Sequence, residues 1–173
     1  FVNPLVEGIP GIEGEVTSLI ATKAGDIIVG GSFSLIGKTW TRGLAKRENG
    51  NWIGIDNYYS GAPNCIANGI DGELIIGHNN GVGILNNDTY SSHSLPGPVY
   101  AVTVANDGAI YAGGDFPGNV AVLRNNSWEI IGAKDSLKLS GVVRAIQIEK
   151  SGSLLVGGKI SFNGASSIGL MRW

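Results

Sequence analysis

Glycine recurs in this chain at a fixed spacing, and that recurrence constrains the fold more than any other feature. From Gly14, Gly61, Gly97 and Gly141, a second glycine follows 11 positions later, at Gly25, Gly72, Gly108 and Gly152. A third follows 16 positions after each start, at Gly30, Gly77, Gly113 and Gly157. Four copies with no insertion between these anchors mark an internal repeat, which sets the architecture before local propensity does. The 28 glycines among 173 residues are about twice the ordinary ~7% usage. They follow no collagen period, so they punctuate turns.

The columns between the glycines have physical sense. Position five of the unit is Leu19, Ile66, Val102 and Ile146, within a first strand. The third glycine is preceded by Ile27-Ile28-Val29, Leu74-Ile75-Ile76, Ile110-Tyr111-Ala112 and Leu154-Leu155-Val156. Such short apolar runs suit a strand covered on both faces. Between the two strands lie Lys23-Ala24-Gly25, Ile70-Asp71-Gly72, Asn106-Asp107-Gly108 and Lys150-Ser151-Gly152. These are hairpin turns in which glycine supplies the required positive φ. A second half follows in register. Gly43, Gly81 and Asn119 each precede an aromatic by the same interval: Trp52, Tyr90 and Trp128. Apolar stretches and the polar turns at Asn49-Gly50, Asn87-Asp88 and Asn125-Asn126 separate them. One unit is therefore an antiparallel meander of four strands, and glycine recurs too often for helix.

A four-stranded meander in tandem predicts an all-β chain, a β-propeller of about four blades in a single domain over residues 1–173. Val29-Gly30-Gly31-Ser32-Phe33, with Gly43-Leu44-Ala45 and Gly50-Asn51-Trp52 after it, resembles kelch-type blades. It is more similar still to the Gly-Gly-x-Phe repeats of extracellular and cortical-marker propellers. Tyr111-Ala112-Gly113-Gly114-Asp115-Phe116 and Val156-Gly157-Gly158-Lys159-Ile160 repeat the motif, whereas the second copy has Gly77-His78 and no following Phe. The resemblance implies fold far more than function. The fourth copy ends at Trp173 without a fourth strand, and Phe1 precedes Gly14 by the interval that separates Trp128 from Gly141. Phe1–Val6 therefore reads as an orphan fourth strand. Either it closes a four-bladed ring by completing the last blade, which would remove exposed edges, or the chain is an arc of a larger propeller.

Composition narrows the function classes. Charged residues are 15% of the chain and the net charge is −2. No basic surplus exists for a phosphate backbone, so nucleic acid is not an expected partner. No run approaches 18 consecutive apolar residues, so membrane insertion is not expected either. Cys65 is the single cysteine, which excludes an intrachain disulfide and a cysteine-based zinc site. The chain begins at Phe1 without a signal pattern, which fits a processed chain, an excised domain or a fragment.

In such a meander the first-to-second and third-to-fourth strand turns share one end of the blade, and here they are uniform in length. The other connections vary: Gly30 to Gly43 and Gly157 to Gly169 are long, whereas Gly77 to Gly81 is short. Variable loops on a rigid scaffold are where binding resides. The aromatics there make Trp40, Tyr58, Tyr59 and Phe116 the candidate ligand-binding residues. Phe33, Phe116 and Phe162 also suit packing between blades. Trp52, Tyr90 and Trp128 occupy one column and are read, with the second and third glycines, as structural.

Candidate chemistry is thin. His78 and His93 lie in no ligand spacing and read as loop residues. Cys65 shares a column with Ser18, Ala101 and Ala145 and reads as packing. Inner strands taken as Val16–Ala21, Asn64–Asn68, Tyr100–Val104 and Val143–Ile148 hold no Asp or Glu, whereas a glycosidase needs two facing carboxylates. Asn87-Asp88-Thr89 and Asn125-Asn126-Ser127 match a glycosylation pattern but read as turns. The expectation is thus a non-enzymatic interaction module without cofactor or metal, binding a protein or glycan through the variable face. Its expected setting is extracellular, at a cell surface or at a virion surface. The alternatives are a structural subunit, self-associating or completed by further blades, and, with less support, a glycan-acting hydrolase.

Overall fold

The computed structural model describes residues 11–55, 61–131, 139–164 and 168–173. Their regular structure is β throughout and falls into four antiparallel sheets, one per repeat. The first holds β1 (Ile12–Ala21), β2 (Ile27–Ile36), β4 (Leu44–Glu48) and β5 (Asn51–Gly54) in that order, with β3 (Thr39–Trp40) also paired to β2. The second is β6 (Cys65–Asn68), β7 (Leu74–His78), β8 (Gly81–Asn86) and β9 (Thr89–Ser94). The third is β10 (Val99–Val104), β11 (Ile110–Gly114), β12 (Val120–Arg124) and β13 (Ser127–Ile130). The fourth has three described strands, β14 (Leu139–Ile148), β15 (Leu154–Phe162) and β16 (Ile168–Arg172). The unbroken repeat predicts one domain, and the chain groups into two compact units, Phe1–Pro63 and Asn64–Trp173.

The hairpin glycines of three repeats close their turns in one way. In the first, Gly25 N donates to Thr22 O at 2.9 Å and Thr22 N to Asp26 O at 2.8 Å, with Gly25 at φ +88°. That is a tight turn followed by a positive-φ residue, which matches the twist of the flanking strands. The same pair of bonds recurs at Ala105–Ala109 and at Glu149–Ser153. The opposite turns are two-residue loops, with both central residues at positive φ in Asn49-Gly50 and Asn125-Asn126.

In the second unit the third glycine of each repeat has a different task. A Cβ at Gly77 would meet Cys65 Sγ and lie 2.9 Å from Val99 Cγ1, and one at Gly113 would overlap Val143 Cγ1. Each glycine is therefore the hollow that receives a valine from the first strand of the following sheet. Apolar clusters form around these insertions. One includes Ile75, Val82, Val99, Phe116 and Leu123, with Val102 and Trp128 packed against it. The other includes Val120, Leu139, Val143, Ile146 and Ile160. A cation–π contact reinforces the second seam, where the Arg144 guanidinium stands 4.1 Å from the ring centroid of Tyr100.

Two expectations change. The long connections after Gly30 and Gly157 are not loops, because β2 runs on to Ile36 and β15 to Phe162. Their partners lengthen to match, so β1 and β14 each span 10 residues. The inner strand of the first repeat consequently begins at Ile12 and carries Glu13 and Glu15. Gly14 looks like a strand boundary in sequence. In the structure it sits in a bulge of the β1–β2 ladder, where a side chain would run into the carbonyl of Ser32. The proposed orphan strand Phe1–Val6, and with it the question of closure, lies outside the described residues.

Candidate functional site

The extended β1–β2 ribbon of the first unit builds the site. Along β2, Ser32 and Ser34 are exposed and Phe33 between them is buried, as the two-residue period of a strand requires. The register shift that skips Ser34 in the β1–β2 ladder then returns Ile36 to the buried side. Phe33 and Ile36 pack with Val29 and Ala45, and Ile12, Ile27 and Trp52 close over that cluster. The buried side thus holds the ribbon rigid while its other side stays polar. The chain then turns at Gly37 and returns through β3. Buried Thr41 ties the return down: its N donates to Ser34 O at 3.0 Å, and its hydroxyl donates to Leu44 O. Arg42 follows directly and is exposed.

These pieces enclose a shallow cleft of about 310 Å³ lined by Glu13, Gly31, Ser32, Phe33, Ser34, Arg42 and Ala62. It offers a carboxylate, a guanidinium and two hydroxyls on a fixed backbone. Such a set can donate to and accept from a polyhydroxylated or zwitterionic ligand. Arg42 and Glu13 are both exposed, so the cleft is wet and open.

Of the candidate residues, Trp40 stands at the rim segment, two residues before Arg42, and is 74% exposed. The other three tryptophans, Trp52, Trp128 and Trp173, are half-buried. Tyr58 and Tyr59 lie outside the described residues. Phe116 is corrected: at 4% exposure within an apolar cluster, its ring has no face to offer a ligand. It packs beside Gly97, the equivalent of the Gly14–Phe33 approach. Trp52 lies against the first cluster and Trp128 against another. Tyr90 covers Gly83, and burial pushes its phenol pKa up. Glu13, Ser32, Ser34 and Arg42 escaped the sequence reading. The Ser-Phe-Ser alternation at 32–34 was the available signal, hidden because the segment looked like loop.

The remaining reactive groups lie elsewhere. Cys65 is buried, and desolvation pushes its thiol pKa up to about 12. His78 ends β7, accepts a hydrogen bond at Nδ1 from Asn80 N at 3.3 Å, and is held below the usual histidine range by burial. His93 Nε2 is 3.5 Å from Ser91 Oγ.

Four antiparallel meander sheets, two of which receive a valine of the following sheet in a glycine hollow, define the class: the fold is a β-propeller. Solved structures agree. A catalytically inactive histidine-to-alanine form of virginiamycin B lyase from Staphylococcus aureus, with quinupristin, superposes with a TM-score of 0.66 at 13% identity, over 96% of this chain and 57% of that one. The extracellular domain of a candidate one-component system from B. thetaiotaomicron gives 0.65 at 17%, over 91% of this chain and 21% of that one. A candidate gluconolactonase gives 0.58 at 16%, over 88% and 61%. The chain thus spans little more than half the length of the lyase. No family model matches the chain, and no curated protein matches it in sequence. These likenesses support a propeller but not the narrower kelch-type or cortical-marker kind.

They also correct the expectation of a non-enzymatic protein. The same fold carries lyases, so the blade pattern gives no ground for excluding catalysis. The absence of inner-strand carboxylates does not hold for the first repeat, where Glu13 and Glu15 lie on β1.

Proposed function

We propose that the ribbon face of the first unit is a ligand-binding surface for a glycan. The observation that carries this reading is the exposed Trp40, two residues before the Arg42 that lines the polar cleft with Glu13, Ser32 and Ser34. An aromatic ring left in water offers an apolar face for a sugar ring, and the neighbouring charges and hydroxyls take the sugar hydroxyls. The connection from Gly30 to Gly43 contributes to this cleft, and variable connections on a rigid scaffold are where binding resides. An extracellular setting accompanies the proposal, supported by the similar fold of an extracellular sensor domain. A glycan array probed with the full chain tests it. Selective retention of a glycan class supports the reading. No retention on any glycan, alongside capture of a protein ligand competed at the same face, would replace the glycan with a protein.

A further inference from the structure

The second glycine of each Gly-Gly pair has a task of its own. Gly31, Gly114 and Gly158 each border a break in the ladder to the first strand of their sheet. Pairing passes from Val16 to Ser18, from Val99 to Ala101 and from Val143 to Ala145. Thr17, Tyr100 and Arg144 are therefore the extra residues of three equivalent β-bulges. A Cβ on any of these glycines would run into the first-strand backbone just before the bulge, at Glu15, Pro98 and Val142 respectively. The glycine is thus what lets the bulge form, and a bulge re-aims the side chain of its extra residue.

In the second unit two such bulges lie on neighbouring strands, because β10 packs beside β14. Their side chains meet: the Arg144 guanidinium stands over the Tyr100 ring, 4.1 Å from its centroid. Arg144 is nevertheless exposed. Among the described residues, none forms an ion pair or hydrogen bond with its guanidinium or with the Tyr100 hydroxyl. The first strands of this unit, β6, β10 and β14, carry no Asp or Glu, and Arg144 is their one charged side chain. A guanidinium resting on a ring keeps its N–H fork free at the rim of the stack and fixed in direction.

We propose that Tyr100 and Arg144 form a binding site for the carboxylate of a small organic acid. A carboxylate is planar and takes two parallel N–H bonds from the fork. One guanidinium balances one carboxylate, whereas a phosphate dianion would bring a second negative charge to strands that hold no second cation. Tyr100 keeps the fork in place, and its hydroxyl adds a further donor. The site lies wholly within the second unit and does not depend on the ribbon cleft or on a glycan bound there.

A heteronuclear NMR titration of the full chain with acetate, benzoate and glucuronate at constant ionic strength tests the proposal. Benzamide serves as the uncharged counterpart and inorganic phosphate as the rival anion. At least one carboxylate should shift the Arg144 Nε–H signal saturably, and benzamide should not. Arg144→Gln should abolish this binding, and Arg144→Lys should weaken it about tenfold, because an ammonium lacks the fork. Tyr100→Leu should also weaken it, although the charge remains. Lys150→Gln removes the same charge from the turn after β14 and should leave binding unchanged. Melting temperatures of the Arg144 variants should match wild type, since the side chain is on the surface. No saturable shift with any carboxylate, equal binding by Arg144→Gln, equal binding of benzamide, or tighter binding of phosphate would each overturn the proposal.

Discussion

The side-chain amide of Asn119 donates to the carbonyl of Gly141 at 2.7 Å and to that of Gly114 at 3.2 Å, tying the third sheet to the first strand of the fourth. Asn119 is buried and stands at φ +58°. Its equivalents in the first two repeats are Gly43 and Gly81, both also at positive φ. Asparagine is the side chain that tolerates this conformation and still reaches a carbonyl. Asn119→Gly should keep the backbone and lose the two bonds, costing about 1–2 kcal/mol. Asn119→Ala should cost about 1 kcal/mol more, because alanine is strained at positive φ. Urea denaturation of the three proteins gives the order, wild type above glycine above alanine.

Gly113→Ala should destabilise by about 1–3 kcal/mol, the usual effect of overfilling a packed seam. The added methyl collides with Val143. Combining it with Val143→Ala should cost less than the sum of the single changes, a coupling of about 1 kcal/mol. Gly157→Ala should leave the stability of dilute protein within about 0.5 kcal/mol of wild type, since its surroundings accept a methyl. Equilibrium unfolding of the four variants reads all of these differences.

The contrast between Gly113 and Gly157 also shows what was legible in the sequence. The period of the glycines and the hairpins they close are local, so Gly25 and its equivalents could be read as turns from chain neighbours alone. The reason for Gly77 and Gly113 lies in Val99 and Val143, each on the first strand of the following repeat, and no local pattern announces it. Phe33 and Phe116 were ambiguous for the same cause, because burial belongs to the assembled sheets. The ribbon escaped notice because Gly14 looks like a strand boundary and the stretch from Gly30 to Gly43 like a loop, although Gly14 sits in a bulge and β2 runs on to Ile36. With the ribbon went Glu13 and Arg42, and hence most of the cleft. Trp40 was found because it fitted no repeat column.

His78 should make stability fall as pH falls below about 6.5, the ordinary histidine value. Burial lowers its pKa in the folded chain, and Nδ1 accepts the Asn80 N–H only when unprotonated. The unfolded chain therefore binds the proton first, and stability rises with pH through this window. His78→Asn should flatten that part of the pH profile in thermal melts between pH 7 and pH 5.

Cys65 should be inert in the folded protein. Its thiol is buried and its pKa is pushed up to about 12, so thiolate is scarce at pH 8 and reagent has no access. An aromatic disulfide reagent should label the native chain at the rate of global opening and label the urea-unfolded chain at once. Being the single cysteine, it gives an unambiguous count.

Titration calorimetry with the strongest array ligand tests the binding face most directly. Wild type would be compared with Trp40→Ala, Arg42→Ala and a control, Ser151→Ala, on the uniform turns at the opposite end of a sheet. The two ribbon variants should each bind at least tenfold more weakly, about 1.4 kcal/mol, and the control should match wild type. Equal affinity for wild type, Trp40→Ala and Arg42→Ala would contradict the assignment of function to this ribbon.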